Sequence, residues 1–214
     1  MSSSVSPGSL IVVSAPSGAG KTTIVAELLR RDAGVRPSIS FTSRVPRPGE
    51  IDGVHYHFVT LDRFQELIAQ GELLEWALVH GNYYGTGRRA IHDLRAAGFD
   101  VLLTIDVQGE RQVRHFFPEA VTVFILPPSF RSLAERMGGR GDSEDDAFQL
   151  RLGNAIDEVA QYHRFDYVVI NDRLDVAVDE LATIIGASRL RRERRSDLAT
   201  EILQTFEEAK SEVK

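Results

Sequence analysis

Residues 10–29 read LIVVSAPSGAGKTTIVAELL. The apolar run Leu10-Ile11-Val12-Val13 has the length and branching of a buried strand. Ile24-Val25-Ala26-Glu27-Leu28-Leu29 repeats at helical spacing, so Thr22–Arg31 is expected to be a helix that begins at the lysine. Between them lies the small-residue loop Ala15, Pro16, Ser17, Gly18, Ala19, Gly20, Lys21, Thr22, Thr23. Gly18 and Gly20 let the backbone curl until successive N–H groups point inward, and a helix N-terminus adds its positive dipole end. Lys21 is then placed to reach β- and γ-phosphates, and the Thr22 hydroxyl to take a place on Mg²⁺. The strict pattern G-x-x-x-x-G-K-[ST] asks for glycine where this chain has Ala15, and alanine at negative φ still lets the backbone approach. Strand, loop, lysine, hydroxyl and helix in this order imply a nucleoside triphosphate site. The bland reading is a strand-to-helix turn that happens to be rich in glycine.

Moving outward, Asp100–Ile105, Val121–Leu126 and Tyr167–Ile170 are further apolar runs of buried-strand length. Helices are expected between them at Arg88–Ala97, Gly109–Phe116 and Asp175–Leu190, the last continuing towards the C-terminus. Alternating strands and helices predict an α/β fold, a parallel sheet with helices on both faces. Ligands then gather where the strands end, at the loops after Val13 and Ile105. Two insertions interrupt the alternation. Residues 37–87 read as a small β-rich lobe, with the alternating stretch Val54–Val59 and a helix at Leu61–Gln70. Residues 127–165 are charged and mostly helical, with Gly138-Gly139-Arg140-Gly141 as a hinge. The core is left with residues 1–36, 88–126 and 166–214. Two inserted lobes around a cradle suit an enzyme that closes over two substrates and excludes water.

The chain has 214 residues, 43% hydrophobic and 26% charged, which suits one well-buried soluble domain with inserted lobes. No apolar run is long enough to span a bilayer, and the polar N-terminus does not read as a signal peptide. Without cysteine, disulfides and thiolate chemistry are excluded, and the cytoplasm is the expected location. A net charge of −6 argues against a general nucleic-acid binder. Five arginines crowd Arg189–Arg195, read as a solvated helix face with RNA or an acidic partner as the alternative. Self-association is left open.

Arg44, Arg47, Arg136, Arg140 and Arg151 all fall inside the two insertions. Arginine suits bidentate phosphate contact, and a cluster on both flanks of a phosphate cradle points to phosphoryl transfer. An acceptor that is itself a phosphate monoester needs no general base, in keeping with the lack of any Ser/His/Asp constellation. The six histidines read as structural. Ser40, Glu75, Tyr84 and Thr86 read as base recognition. A carboxylate can accept from guanine N1–H and the exocyclic amine together, which adenine cannot offer, and a hydroxyl can donate to O6. Taken alone, Glu75 between Leu74 and Trp76 reads more often as a helix-end or strand-edge carboxylate, and the spacing does not decide it.

SAPSGAGKTT, SFTSRVPRPGEIDGVHYHF, LLEWALVHGNYYGT, IDVQG, GRG before the Arg151 helix, and VIND together resemble the motif set of guanylate kinases, across residues 8–190. The resemblance implies transfer of the ATP γ-phosphate to GMP with Mg²⁺ required. It implies that residues 15–22 wrap the ATP phosphates and that Ser40, Glu75, Thr86 and Asp106 hold the guanine. Arg44, Arg47, Tyr56 and Tyr84 would grip the GMP phosphate. Arg136, Arg140 and Arg151 would close from the lid side, with catalysis carried by Lys21, Arg44, Arg140 and Arg151. Asn171 would meet the adenine. The insertions become a GMP lobe and a lid. Thr104 departs from the pattern, which has an acidic residue there, and weaker metal positioning is expected. The rival readings are another P-loop kinase, such as a ribose-bisphosphate kinase, and a non-catalytic guanylate-kinase-like module that binds phosphopeptides.

Overall fold

The computed structural model describes residues 6–79, 81–138 and 146–212. Five parallel strands form the main sheet: β1 (Leu10–Ser14), β2 (Val35–Pro37), β7 (Asp100–Thr104), β8 (Val121–Leu126) and β9 (Tyr167–Ile170), in the order β2-β7-β1-β8-β9. The central strand β1 shows why this sheet needs cover on both faces. Ile11 and Val13 enter a core with Ile24, Val25 and Leu28 of helix α1 (Lys21–Arg31) and with Val178, Leu181 and Ile185 of α7 (Leu174–Arg189). Leu10 and Val12 face the other way, among Ile91 of α3 (Arg88–Ala96) and Val113 of α4 (Val107–Phe116). Each such fully buried side chain contributes about 1.5–3 kcal/mol relative to exposure.

Between β2 and α3 the chain builds a second sheet from β3 (Phe41–Thr42), β4 (His57–Phe58), β5 (Leu73–Val79) and β6 (Asn82–Gly87), ordered β4-β3-β6-β5. Helix α2 (Leu61–Ala69), capped by the Thr60 side chain, buries Phe64 and Leu67 against it. Between β8 and β9 stand α5 (Phe130–Gly138) and α6 (Asp146–Val159), packed through Leu133, Met137, Phe148, Leu152 and Ala155. Gly139, Arg140 and Gly141 of the expected hinge lie outside the described residues.

Three expectations need correction. The alternation over Val54–Val59 yields only the short β4, because Gly53 turns at φ 73° and its N–H closes a turn on the Tyr56 carbonyl. Helix α4 starts two residues earlier than expected, because Asp106 caps it by accepting from Gln108 and Gly109 N–H. The Arg189–Arg195 run is not one solvated helix face. Arg189 ends α7 and pairs with buried Asp100 at 2.6 Å and with Asp32 at 2.7 Å. Residues Arg192–Arg195 are 3-10, Arg194 reaches Asp100 and the Pro7 carbonyl, and Arg191 donates to the Glu119 carbonyl. Only then does α8 (Ser196–Glu212) begin.

Candidate active site

The loop after β1 is shaped by its two glycines. Gly18 and Gly20 lie at φ 84° and 91°, in the left-handed region where a side chain is strained. Neither has room for one. A Cβ on Gly18 would sit 2.6 Å from Met137 Cγ, and one on Gly20 would sit 2.3 Å from Asn171 Nδ2. Gly20 is the N-cap of α1 without a side-chain bond, and the first turn of α1 carries no acidic residue. The positive end of the helix therefore faces an open cavity of about 560 Å³, lined by Ala15, Pro16, Ser17, Gly18, Gly20, Lys21, Thr22 and Thr23 and closed by Arg136, Asn171, Asp172 and Leu174.

A second cavity of about 160 Å³ opens at the ends of β7 and the second sheet, among Ser40, Tyr56, Glu75, Tyr84, Thr104 and Asp106. Glu75 is its buried acceptor, only 3% exposed. Thr86 Oγ1 donates to Glu75 Oε1 at 2.5 Å from the paired strand β6. The other carboxylate oxygen lies over Gly109, where an added Cβ would be 2.5 Å from Oε2. Burial pushes the Glu75 carboxyl up to about 7, with Asp106 adding to the rise and the hydroxyl and N–H of Thr86 opposing it.

At the rim, Tyr56 and Tyr84 meet edge to face at 5.8 Å, and the Arg44 guanidinium lies 5.5 Å from the Tyr56 ring centre. Glu50 holds this corner. It pairs with Arg44 at 2.8 Å and accepts from the Arg47 N–H at 2.7 Å. The Arg44 hydrogen bond and the Arg47 N–H hold its carboxyl down at about 2. Glu50 thus holds the Arg44 guanidinium against the aromatic rim.

Lys21 lines both cavities. Its ammonium donates to the Ile105 carbonyl at 3.3 Å, beside the Ser14 hydroxyl, which donates to the same carbonyl at 2.8 Å. Burial lowers the Lys21 pKa, against the attraction of Asp106 and Glu158. The Lys21 ammonium thus stands on the wall shared by the glycine-loop cavity and the pocket that holds the buried Glu75 carboxylate.

The guanylate kinase family description matches residues 8–188 of the chain. The chain belongs to the guanylate kinase family. It is 51% identical over 199 residues to a guanylate kinase of Xanthomonas oryzae pv. oryzae (strain MAFF 311018), covering 93% of this chain and 98% of that relative. It is 50% identical to one of Neisseria meningitidis serogroup B (strain MC58), covering 92% and 96%. The crystal structure of the Anaplasma phagocytophilum guanylate kinase superposes with a TM-score of 0.73 at 31% identity, over 88% of this chain and 90% of that one. The α/β fold with its parallel sheet is that of this family.

Most residues expected at the site come together around the two cavities, but not all in the expected manner. Thr86 stands behind Glu75 rather than on the cavity wall. Asp106 serves as the α4 cap as well as lining the pocket. Asn171, expected at the adenine, donates its Nδ2 to the Ala19 carbonyl at 2.8 Å and so braces the phosphate loop. Arg47 lies exposed on a turn outside both linings, its backbone tied to Glu50. Arg151 sits on α6 outside both linings, and Arg140 lies outside the described residues. Sequence reading missed Glu50, Gly109 and Asp172. Lone carboxylates leave no periodic signal, whereas the glycine of IDVQG was visible without its reason.

Proposed function

We infer that this chain is a kinase that transfers the γ-phosphoryl group of ATP to GMP, giving ADP and GDP. The observation that carries the reading is Lys21, the shared wall of the two cavities. Its charge lies where a phosphoryl group would pass in line from one nucleotide to the other, and catalysis of that transfer is mostly positioning and charge neutralisation. The GMP phosphate loses its second proton at a pH of about 6, so near neutrality the attacking oxygen needs no general base.

In this reading the loop residues 15–23 hold the ATP phosphates, with Arg136 and Arg140 from the lid side and Asn171 bracing the loop. Ser40, Glu75, Thr86 and Asp106 form the guanine seat. Arg44, Arg47, Tyr56 and Tyr84 grip the GMP phosphate, and Arg151 closes over it. Residues 37–87 act as the GMP lobe and 127–165 as the lid, moving against a core of 1–36, 88–126 and 166–214. Mg²⁺ fits the donors present. Among the described residues no three His, Asp or Glu side chains gather into a cage. Thr22 at the start of α1 offers a hard oxygen of the kind this ion takes beside phosphate oxygens. When bound, Mg²⁺ would neutralise phosphate charge. No described helix is long and apolar enough to cross a membrane, and the cysteine-free composition supports work in the cytoplasm.

The intact Lys21 and Thr22, with 51% identity to a guanylate kinase along nearly the whole chain, disfavour the phosphopeptide-module and ribose-bisphosphate readings. A coupled assay of ADP formation with GMP, AMP and UMP as acceptors tests the conclusion. Turnover should depend on GMP, and its absence with GMP would refute it.

A further inference from the structure

Helix α4 meets strand β5 at three consecutive residues. Leu74 shares a buried core with Val113. Glu75 turns its carboxylate over Gly109, and Trp76 presents its backbone to Gln112. The last contact has an unusual form. β5 is the edge of the second sheet, in the order β4-β3-β6-β5, so one side of its backbone has no strand beside it. Gln112 fills that side. Its Oε1 accepts from the Trp76 N–H at 3.1 Å, and its Nε2 donates to the Trp76 carbonyl at 2.7 Å. A side-chain amide thus pairs with both backbone groups of one residue, as a neighbouring strand would.

The pocket beside this contact is built from two parts of the chain. Glu75 and Ser40 come from the second sheet and its approach, whereas Asp106 is the N-cap of α4. The Thr86 bond to Glu75 lies within the second sheet and does not fix that sheet against α4. The Gln112 bonds cross from one part to the other. Gly109 and Gln112 are three residues apart on one face of α4, so that face bears on the carboxylate and on the backbone of the next residue together. Gln112 lies outside both cavities, and its two bonds are exposed, so water can take them over when the amide is removed. We propose that Gln112 is a positioning residue for base selection: by clamping the Trp76 backbone it sets β5 against α4, and so holds the Glu75 carboxylate in register with Asp106. A carboxylate that meets guanine N1–H and the exocyclic amine together needs both oxygens held, and one that drifts gives up the paired contact. The proposal rests on the reading of Glu75 as the guanine acceptor.

The test is equilibrium binding of GMP and of inosine monophosphate, which keeps N1–H and lacks the exocyclic amine, to the full chain. Gln112→Met, which keeps the length of the stem and loses both bonds, is compared with the parent at about pH 8, where Glu75 is ionised. GMP should weaken about tenfold, the scale of a hydrogen bond to a charged group, and inosine monophosphate only about threefold, so the preference between them narrows. Affinity for a non-hydrolysable ATP analogue should not change. Trp76 is the single tryptophan of the chain, and its emission should shift in Q112M before nucleotide is added. Equal losses for the two monophosphates, the mark of a merely structural role, would overturn the proposal. So would unchanged GMP binding in a natively melting Q112M. Should Q112M melt early, Gln112→Glu, which still accepts from the Trp76 N–H, decides by the same ratio. A parent that shows no preference for GMP over AMP would sink the guanine reading itself, whereas a parent that has it and a variant that keeps it would sink this proposal alone.

Discussion

Acidification is expected to weaken GMP binding through Glu75. The carboxylate must be ionised to accept from guanine N1–H and the exocyclic amine, yet burial pushes its pKa up to about 7, so near neutrality only half of the free enzyme is competent. The apparent Kd scales inversely with that fraction, so it should rise about fivefold from pH 7 to pH 6 and level off above about pH 8. Guanine binding selects the ionised form, and about half a proton should leave per GMP bound at pH 7. Calorimetry in buffers of differing ionisation enthalpy reads that proton directly. The GMP phosphate, titrating at about pH 6, contributes only about a tenth of a proton there. The same group governs stability with a definite sign. Its folded value lies above the ordinary 4.5, so its contribution is fully present below 4.5 and is lost as pH rises through 7. The loss amounts to about 3 kcal/mol. The nucleotide-free enzyme should therefore melt higher at pH 5.5 than at pH 8 as far as this group is concerned, and GMP should reverse the order. A Kd that is flat between pH 6.5 and 8, with no proton released, would refute the reasoning.

Gly109→Ala places a Cβ 2.5 Å from Glu75 Oε2; steady-state kinetics should show a raised GMP KM with the ATP KM unchanged. Asp100→Asn leaves Arg189 and Arg194 without their buried carboxylate; denaturant melts should show a loss of about 3 kcal/mol, while GMP affinity holds. Thr104 lines the smaller cavity at the end of β7, and Thr104→Asp should lower the Mg²⁺ concentration needed for half-maximal turnover; unchanged Mg²⁺ dependence and rate would count against a metal-positioning role there.

Much of the fold was legible because a parallel sheet covered on both faces is built from unbroken apolar runs, as in the buried strand Val121–Leu126. Tyr167–Ile170 is a strand over its expected span too, but at the sheet edge with only Val169 buried, so the expectation of a buried strand there is corrected. β2 escaped notice since three residues ending in proline carry no pattern. The start of α4 was misread because its cap, Asp106, looked like a ligand residue and is also a helix signal. At the site, the phosphate loop announces itself by local sequence, and its two left-handed glycines lie where the motif places them. Glu50 could not be found that way. Its role arises from what folding brings beside it, the Arg44 guanidinium. The arginine run misled for a related reason: its buried partner, Asp100, is 89 residues away from Arg189.

Asn171 has a consequence for biosynthesis. The loop it braces is translated well before its partner, since the hydrogen bond that sets it, Asn171 Nδ2 to the Ala19 carbonyl, spans 152 residues. Asn171 is itself held where β9 meets β8, through its N–H to the Leu126 carbonyl. The nascent chain therefore carries an unbraced loop until the outermost strand of the sheet has joined. A chain released before residue 171 would hold the whole phosphate-loop motif and still lack this brace. Retention on an ATP resin should therefore be weaker for chains truncated before residue 171 than for the chain that carries Asn171.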